Sequence, residues 1–380
     1  MSMGRIAVVG AGLAGLRTVE RLRRLGHAGP VTLVGAEEHP PYDRPPLSKA
    51  VLASPEAARP PLREEDYAAL DVDLRLGTHA TGVDGHRLLL SSGEVEFDRL
   101  VVATGVRPRR PAVFDGWSGV HVLRDWADCV GLRTALAAGR SLVVVGAGVL
   151  GCEVAATARG LGLDVSVVER LAHPLPLGPA VGAHLAALHR ANGVTLRCGA
   201  EVTGLKGDGR VAGVELADGT VLPADVVVVA VGSTPNTEWL SGSDVPVDDG
   251  VLCDRTGRTA RPDVWAAGDV ARMPHPWRAG TVRFEHWTGA VDTAGLVAAN
   301  LLADEPKPLA AVPYFWTDQY GLRLQAIGLP DPADEFEVVQ GAVEDGKFLA
   351  HYRRDGVLTG AAAMGMPGPL AKTRRLIGTG

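Results

Sequence analysis

Cysteine and long apolar runs are scarce in this sequence, and each shortage excludes a class of protein. Only four cysteines occur in 380 residues, Cys129, Cys152, Cys198 and Cys253, and none lies closer than 23 positions to the next. They form no C-x-x-C pair and no metal-ligand spacing, so neither a cysteine-held metal nor a disulfide scaffold is expected. No uninterrupted stretch approaches the roughly 20 apolar residues that span a bilayer, and the first apolar run, after Met3-Gly4-Arg5, is too short for a signal peptide. Charge of one sign is lacking as well. The 38 basic and 44 acidic residues are interspersed and leave a net charge of −6, which argues against a general nucleic-acid binder or a polybasic membrane-surface protein. A cytoplasmic protein with no nucleic-acid and no membrane partner is the expectation.

Glycine and small apolar residues are plentiful, with 48 glycines and 46% hydrophobic residues. A chain of this length is expected to form two or three domains. Behind the run Ile6-Ala7-Val8-Val9 stands Gly10-Ala11-Gly12-Leu13-Ala14-Gly15, a strand entering a glycine turn and then a helix. The first glycine permits the tight turn, the second lets backbone approach a pyrophosphate, and the third lets helix pack on strand. N–H groups at the helix start then point at phosphate, where the helix dipole favours negative charge. A second copy follows: Leu142-Val143-Val144-Val145 leads into Gly146-Ala147-Gly148-Val149-Leu150-Gly151. After each, at about 20 residues, a further apolar strand ends near an acid, Val31–Val34 before Glu37 and Glu38, and Val165–Val168 before Glu169. Either Glu37 or Glu38 can serve an adenosine ribose, and Glu37 is preferred. Two dinucleotide loops predict an α/β fold with two Rossmann-like domains, and two bound dinucleotides imply electrons passing between them.

Between and beyond the loops the chain carries further signals. A helical pattern runs through Leu16, Val19, Leu22 and Leu25 and stops at Gly26. The proline-rich loop Pro40-Pro41-Tyr42-Asp43-Arg44-Pro45-Pro46-Leu47-Ser48-Lys49 stiffens the chain around two cations, Arg44 and Lys49. Strand Leu100-Val101-Val102 enters Ala103-Thr104-Gly105. The helix after the second loop is expected to begin at Cys152-Glu153, with a carboxylate in its first turn. A hairpin is expected from Val211 to Leu222, turning at Asp218-Gly219, before the buried-looking run Val226–Val231 and Gly232. Then come Val264-Trp265-Ala266-Ala267-Gly268-Asp269, a helix opening at Glu285-His286-Trp287, and the aromatic stretch Tyr314-Phe315-Trp316.

The proline-rich loop ending in Leu47-Ser48-Lys49, behind a glycine fingerprint near the N-terminus, resembles the NADH-dependent ferredoxin reductases that serve bacterial oxygenases and cytochromes P450, a family shared with rubredoxin reductases and apoptosis-inducing factor. The resemblance covers nearly the whole chain in order. It implies non-covalent FAD on the first loop (Gly10, Gly12, Leu13, Ala14, Gly15), with Arg44 and Lys49 contacting the cofactor. Ala36 stands where several relatives carry their ribose acid, so that role passes to Glu37. Ala80, Thr104, Gly105 and Gly232 are further cofactor-binding positions on this basis, and Arg124, in Val122-Leu123-Arg124-Asp125, is a candidate for the FAD pyrophosphate. Gly268 and Asp269 form the second half of the FAD fingerprint. Glu285, His286 and Trp287 open a helix facing the flavin pyrimidine edge, Trp316 lies by the isoalloxazine, and Glu153 pairs with Lys49. The later loop (Gly146, Gly148, Val149, Leu150, Gly151) and Glu169 hold NADH, whose ribose hydroxyls suit a carboxylate that would repel a 2′-phosphate.

The implied division is residues 1–107 and 231–310 for FAD, 108–230 for NAD(H), and 311–380 as a small α+β C-terminal domain. The implied reaction is hydride transfer from NADH C4 to flavin N5. It needs no general acid, and without a cysteine relay the electrons leave singly to a small ferredoxin. From Gly341 to Gly380 six bases face three acids, a local excess that suits an acidic iron–sulfur partner or is an ordinary solvated face. Rubredoxin, quinone or oxygen as acceptor, and an NADH-sensing interaction protein, are the alternatives. A monomer or a homodimer is expected.

Overall fold

The run Ile6–Val9 becomes the middle strand of a five-stranded parallel sheet in the computed structural model, which describes residues 4–64 and 66–378. Its neighbours are Val31–Val34 and Asp73–Arg75 on one side and Arg99–Val102 and Val264–Ala266 on the other. Strands buried on both faces read as unbroken apolar runs, and Ala7, Val8, Val101 and Val102 are fully buried here. Helix Leu13–Arg24 buries Leu16, Val19 and Leu22 on one stripe and yields to Gly26 at φ +87°. A small antiparallel sheet, Ala80–Asp84, Arg87–Leu90 and Glu94–Glu96, packs Leu88 with Phe97 and Leu100.

A second sheet repeats the plan. Ser141–Val145 is central, flanked by Asp164–Glu169 and Thr195–Cys198 on one side and by Val226–Val229 and Val120–His121 on the other, all parallel. The hairpin partners are Val211–Leu216 and Val221–Pro223, antiparallel. Residues 314–364 build a five-stranded antiparallel sheet in the order Tyr314–Gln319, Leu322–Gly328, Val357–Met364, Lys347–Arg354, Glu335–Ala342.

The chain divides into two units. One comprises Met1–Asp43, Pro60–Arg107 and Thr234–Pro313; the other comprises Arg44–Arg59, Pro108–Ser233 and Tyr314–Gly380. Two features of the packing go with this division. Arg44–Arg59 packs with the second unit, not with the rest of 1–107: Thr157 donates to the Ser48 carbonyl at 2.7 Å and Arg133 to the Ser54 carbonyl at 2.8 Å. The C-terminal sheet shares its core with residues of the second Rossmann-like segment, where Leu177, Val181 and Leu185 meet Leu324, Phe348 and Tyr352. Among the described residues no helix is long and apolar enough to cross a membrane.

The helix after the second loop spans Val149–Gly160, so its start is corrected from Cys152 to Val149. Gly148 is the residue before it, as Gly12 is before Leu13–Arg24. Glu153 therefore sits in the second turn and does not complement the helix dipole. It is 4% exposed, and its reason for being there lies elsewhere.

Candidate active site

Each glycine loop can be tested by asking what a Cβ would meet. At Gly10, φ is +112° and a Cβ would lie 2.1 Å from the Ala103 carbonyl oxygen; at Gly15 it would lie 1.9 Å from that of Gly10. At Gly12 it would meet nothing within 4 Å. The second loop repeats this pattern: 2.3 Å from the Ala230 oxygen at Gly146, 2.0 Å from the Gly146 oxygen at Gly151, and open space at Gly148. Two glycines per loop are required by backbone packing, and the middle one leaves open space in front of a helix N-terminus. The first-turn N–H groups of Leu13 and Ala14, and of Val149 and Leu150, have no acceptor within their helices. That is the geometry a pyrophosphate fits.

Acids differ between the two loops. Glu169 ends its strand with one carboxylate oxygen accepting from Ala147 N at 2.6 Å and the other from Leu171 N at 2.8 Å. The carboxylate is fixed beside the loop. In the first unit the corresponding strand ends at Val34 and is followed by Gly35, where a Cβ would come within 2.6 Å of that of Ala11. No acid fits there. Ala36 and Glu38 are exposed, whereas Glu37 is half-buried and accepts from the Tyr42 hydroxyl at 2.6 Å.

Also in the first unit, Gly268 donates its N–H to Thr293 Oγ1 at 2.9 Å, and a Cβ on it would lie 2.7 Å from that of Ala14. The segment carrying Asp269 is thus brought against helix Leu13–Arg24. Thr104 and Asn236 bond reciprocally, at 2.7 and 3.0 Å, and Gly105 turns with φ +64°. Helix Trp287–Leu301 opens after His286, whose imidazole pKa is lowered by burial. Trp287 Nε1 donates to Asp43 at 2.7 Å, and Glu285 accepts from Arg283 at 2.8 Å. Ala80 lies on the small sheet, packed against the cluster that includes Leu88 and Phe97.

The second unit brings other candidates together. Lys49 Nζ stands 2.5 Å from Glu153 Oε2, which also accepts from Ser48 Oγ at 2.6 Å. The other oxygen, Oε1, accepts from Thr317 Oγ1 at 2.9 Å. A buried carboxylate is tolerable only when its acceptor sites are filled and its charge is paired, and both conditions hold. Arg44 donates to the Arg124 carbonyl at 2.8 Å, and Arg124 N donates to Asp128 at 2.9 Å. Trp316 stacks on Tyr314 at 5.8 Å between ring centroids. Gly232 turns with φ +103°.

Three partners of Glu153 and its neighbours escape sequence reasoning: Thr317, Gln319 and His189. The available signal was alternation, since Thr317 and Gln319 are the buried positions of strand Tyr314–Gln319. None of the four cysteines forms a disulfide. All four are free, and burial pushes Cys129 up to about 11 and Cys253 up to about 12. No metal-binding cluster of His, Cys, Asp and Glu occurs among the described residues. A cleft of about 440 Å³ lined by Leu52, Arg133, Leu136 and Leu163 contains none of the candidate residues.

Against known proteins, residues 4–294 match the family described as pyridine nucleotide-disulphide oxidoreductase and residues 314–380 match the reductase C-terminal family. The chain is 38% identical over 384 residues to the ferredoxin–NAD(+) reductase component of the p-cumate 2,3-dioxygenase system of Pseudomonas putida, covering 99% of this chain and 93% of the relative. It is 37% identical to rhodocoxin reductase of Rhodococcus erythropolis, covering 98% and 89%. Among solved structures, the covalent putidaredoxin reductase–putidaredoxin complex matches with a TM-score of 0.93 at 34% identity, covering 99% of this chain and 93% of that one. With two glycine cradles, a carboxylate fixed beside the second and these matches along its length, the chain belongs to the pyridine nucleotide-disulphide oxidoreductase family and ends in a reductase C-terminal domain.

Proposed function

We propose that this protein is the NADH-dependent reductase of an electron-transfer system, moving electrons to a small iron–sulfur ferredoxin that serves an oxygenase or a cytochrome P450. Its cofactors are FAD and NADH. Bound FAD supplies the conversion of a two-electron hydride donor into one-electron steps. The observation that carries this reading is the pair of cradles, each with open space at its middle glycine, in a chain whose four cysteines are free and three of them buried.

The residues divide the work. We assign the loop Gly10–Gly15, with Glu37, Thr104, Gly105, Gly268 and Asp269, to FAD, and residues 1–107 and 231–310 to its domain. The loop Gly146–Gly151 and Glu169 are assigned to NADH, within 108–230. A carboxylate already holding two backbone N–H groups welcomes ribose hydroxyls and repels a 2′-phosphate, which favours NADH over NADPH. Lys49 is the cation offered to the flavin, because an ammonium stabilises the negative charge of the reduced ring, and Glu153 holds it. Arg44, Arg124 and Trp316 are proposed to complete the flavin surroundings, as are Ala80, Gly232, Glu285, His286 and Trp287.

For the acceptor, Lys347, Lys372 and Arg375 are exposed on the C-terminal domain of residues 311–380, while Arg354 is already committed to Asp331 and Asp334. The basic surface open to an acidic ferredoxin is therefore smaller than the residue count implies. Dependence on NADH supports a cytoplasmic location. Cytochrome c reduction by the FAD-loaded protein tests the function: rapid turnover is expected only when a ferredoxin is added. Slow turnover with every ferredoxin tried, together with an NADH-induced change of oligomeric state, would overturn it.

A further inference from the structure

Four side chains that neither glycine loop explains form one line in the second unit, buried except at Tyr320, and it ends on Glu153. Tyr320 Oη lies 2.7 Å from His189 Nδ1, and His189 Nε2 lies 3.0 Å from Gln319 Oε1. Gln319 Nε2 donates to Thr317 Oγ1 at 3.1 Å, and Thr317 Oγ1 donates to Glu153 Oε1 at 2.9 Å. His189, Gln319 and Thr317 are each no more than 3% exposed.

Donor and acceptor roles along this line are forced. A threonine hydroxyl has one proton, and the Glu153 carboxylate takes it, so the Gln319 amide must present N–H to Thr317 and carbonyl oxygen to His189. The imidazole then carries its proton on Nε2 and accepts at Nδ1 from the tyrosine hydroxyl. Every bond therefore donates in the same direction, from Tyr320 toward Glu153. A neutral ring is required, and burial supplies it by lowering the His189 pKa to about 4. Burial likewise raises the Tyr320 phenol, keeping its proton in place.

Backbone strain at the far end is a separate observation. Tyr320 and Gly321 form the two-residue turn between strands Tyr314–Gln319 and Leu322–Gly328, with φ +53° and +77°. Turns of this kind favour Asn or Gly at the first position, because a positive φ is unfavourable for a larger side chain. A tyrosine persists there when other contacts over-determine it. Its hydroxyl and ring both engage His189, the ring edge-on at 5.2 Å between centroids.

We propose that Thr317, Gln319, His189 and Tyr320 form a one-directional positioning relay that fixes the Glu153 carboxylate and, through it, the Lys49 ammonium, in the arrangement used for flavin reduction. The inference rests on the reading of Lys49 as the flavin's cation. None of the four touches the reacting atoms; they act through Glu153. Thr317→Val removes the donor to Glu153 without changing shape, and Gln319→Leu cuts the line in the middle.

The test is single-turnover reduction of the FAD-loaded protein by NADH, followed as a function of NADH concentration, with Lys49→Met as reference. Thr317→Val and Gln319→Leu should each lower the limiting rate about tenfold, the worth of one hydrogen bond to a charged group, at an unchanged half-saturating NADH concentration. Thr317→Ser, which keeps the hydroxyl, should restore the rate to within about twofold on the same scale. Independently of flavin chemistry, imidazole NMR should show His189 as the Nε2–H tautomer, with no titration between about pH 5.5 and 8. Wild-type rates in Thr317→Val and Gln319→Leu with a slow Lys49→Met would overturn the relay alone. A wild-type rate in Lys49→Met would overturn the reading beneath it. An Nδ1–H tautomer would overturn the direction of the line. Should Gln319→Leu fail to fold, the Thr317→Val and Thr317→Ser pair decides.

Discussion

Alanine at Gly148 should weaken NADH binding and leave the fold intact, whereas alanine at Gly151 should damage the fold. At Gly148 the backbone has φ −70° and ψ −173°, which any residue adopts, and a Cβ would meet nothing. Loss of a favourable residue before the helix and the gain from a stiffer unfolded chain nearly cancel, so stability should change by less than about 1 kcal/mol. The new methyl instead fills the space through which a phosphate reaches the first-turn N–H groups. Losing one charge-assisted hydrogen bond costs about 1.5–3 kcal/mol, or roughly a 10- to 150-fold rise in the NADH KM. At Gly151 the methyl would sit 2.0 Å from a backbone oxygen, and overpacking against backbone costs about 1–3 kcal/mol or more. NADH oxidation with ferricyanide as acceptor measures the first effect and thermal unfolding the second. An NADH KM within about twofold of wild type in a folded Gly148→Ala protein, a shift well under 1 kcal/mol, would refute the cradle assignment. Gly12→Ala, at φ −94°, should by the same logic release FAD on dialysis without unfolding the chain.

Glu169→Ala removes the acceptor of two backbone N–H groups and should raise the NADH KM about tenfold while narrowing the preference over NADPH, read as a ratio of kcat/KM values. Glu153→Leu leaves the Lys49 ammonium without its partner; flavin reduction should slow and stability fall by about 3 kcal/mol, checked by urea titration. Acid should destabilise the protein through His189. Its folded pKa of about 4 lies below the ordinary histidine value of 6.5, so only the unfolded chain gains a proton between those values. Stability is full above pH 6.5 and falls by about 3 kcal/mol as pH approaches 4. His189→Gln should flatten that part of the urea-midpoint profile, and an unchanged slope would show that the imidazole is not held neutral.

Much of the fold was legible because its signals are local. A strand buried on both faces reads as an apolar run, and a glycine whose Cβ would strike the next turn's carbonyl reads as a glycine at fixed spacing. Both hold for Ile6–Val9 with Gly10–Gly15 and for Ser141–Val145 with Gly146–Gly151. The surroundings of Glu153 were not legible in this way. Its donors come from Ser48, Lys49 and Thr317, about 100 residues before and 160 after it, and long-range packing alone assembles them. Reading Glu153 as a first-turn acid failed because the helix starts immediately after Gly148. Thr317 and Gln319 alternate as strand residues should, but inward-facing polar residues look like a solvent face until their partners are known.

The interleaving of the two units also sets an order of assembly during synthesis. Strand Arg99–Val102 pairs on one side with Ile6–Val9, which the ribosome has already released, and on the other with Val264–Ala266, more than 160 residues later. Until then that edge of the sheet, including the fully buried Val101 and Val102, has no native cover, and an exposed apolar edge is an aggregation hazard. Gly268 arrives with the same late strand. The glycine cradle of Gly10–Gly15 is therefore complete only after the intervening segment, residues 103–263, has been made. Truncations ending before residue 264 should collect in the insoluble fraction, and added FAD should not rescue them.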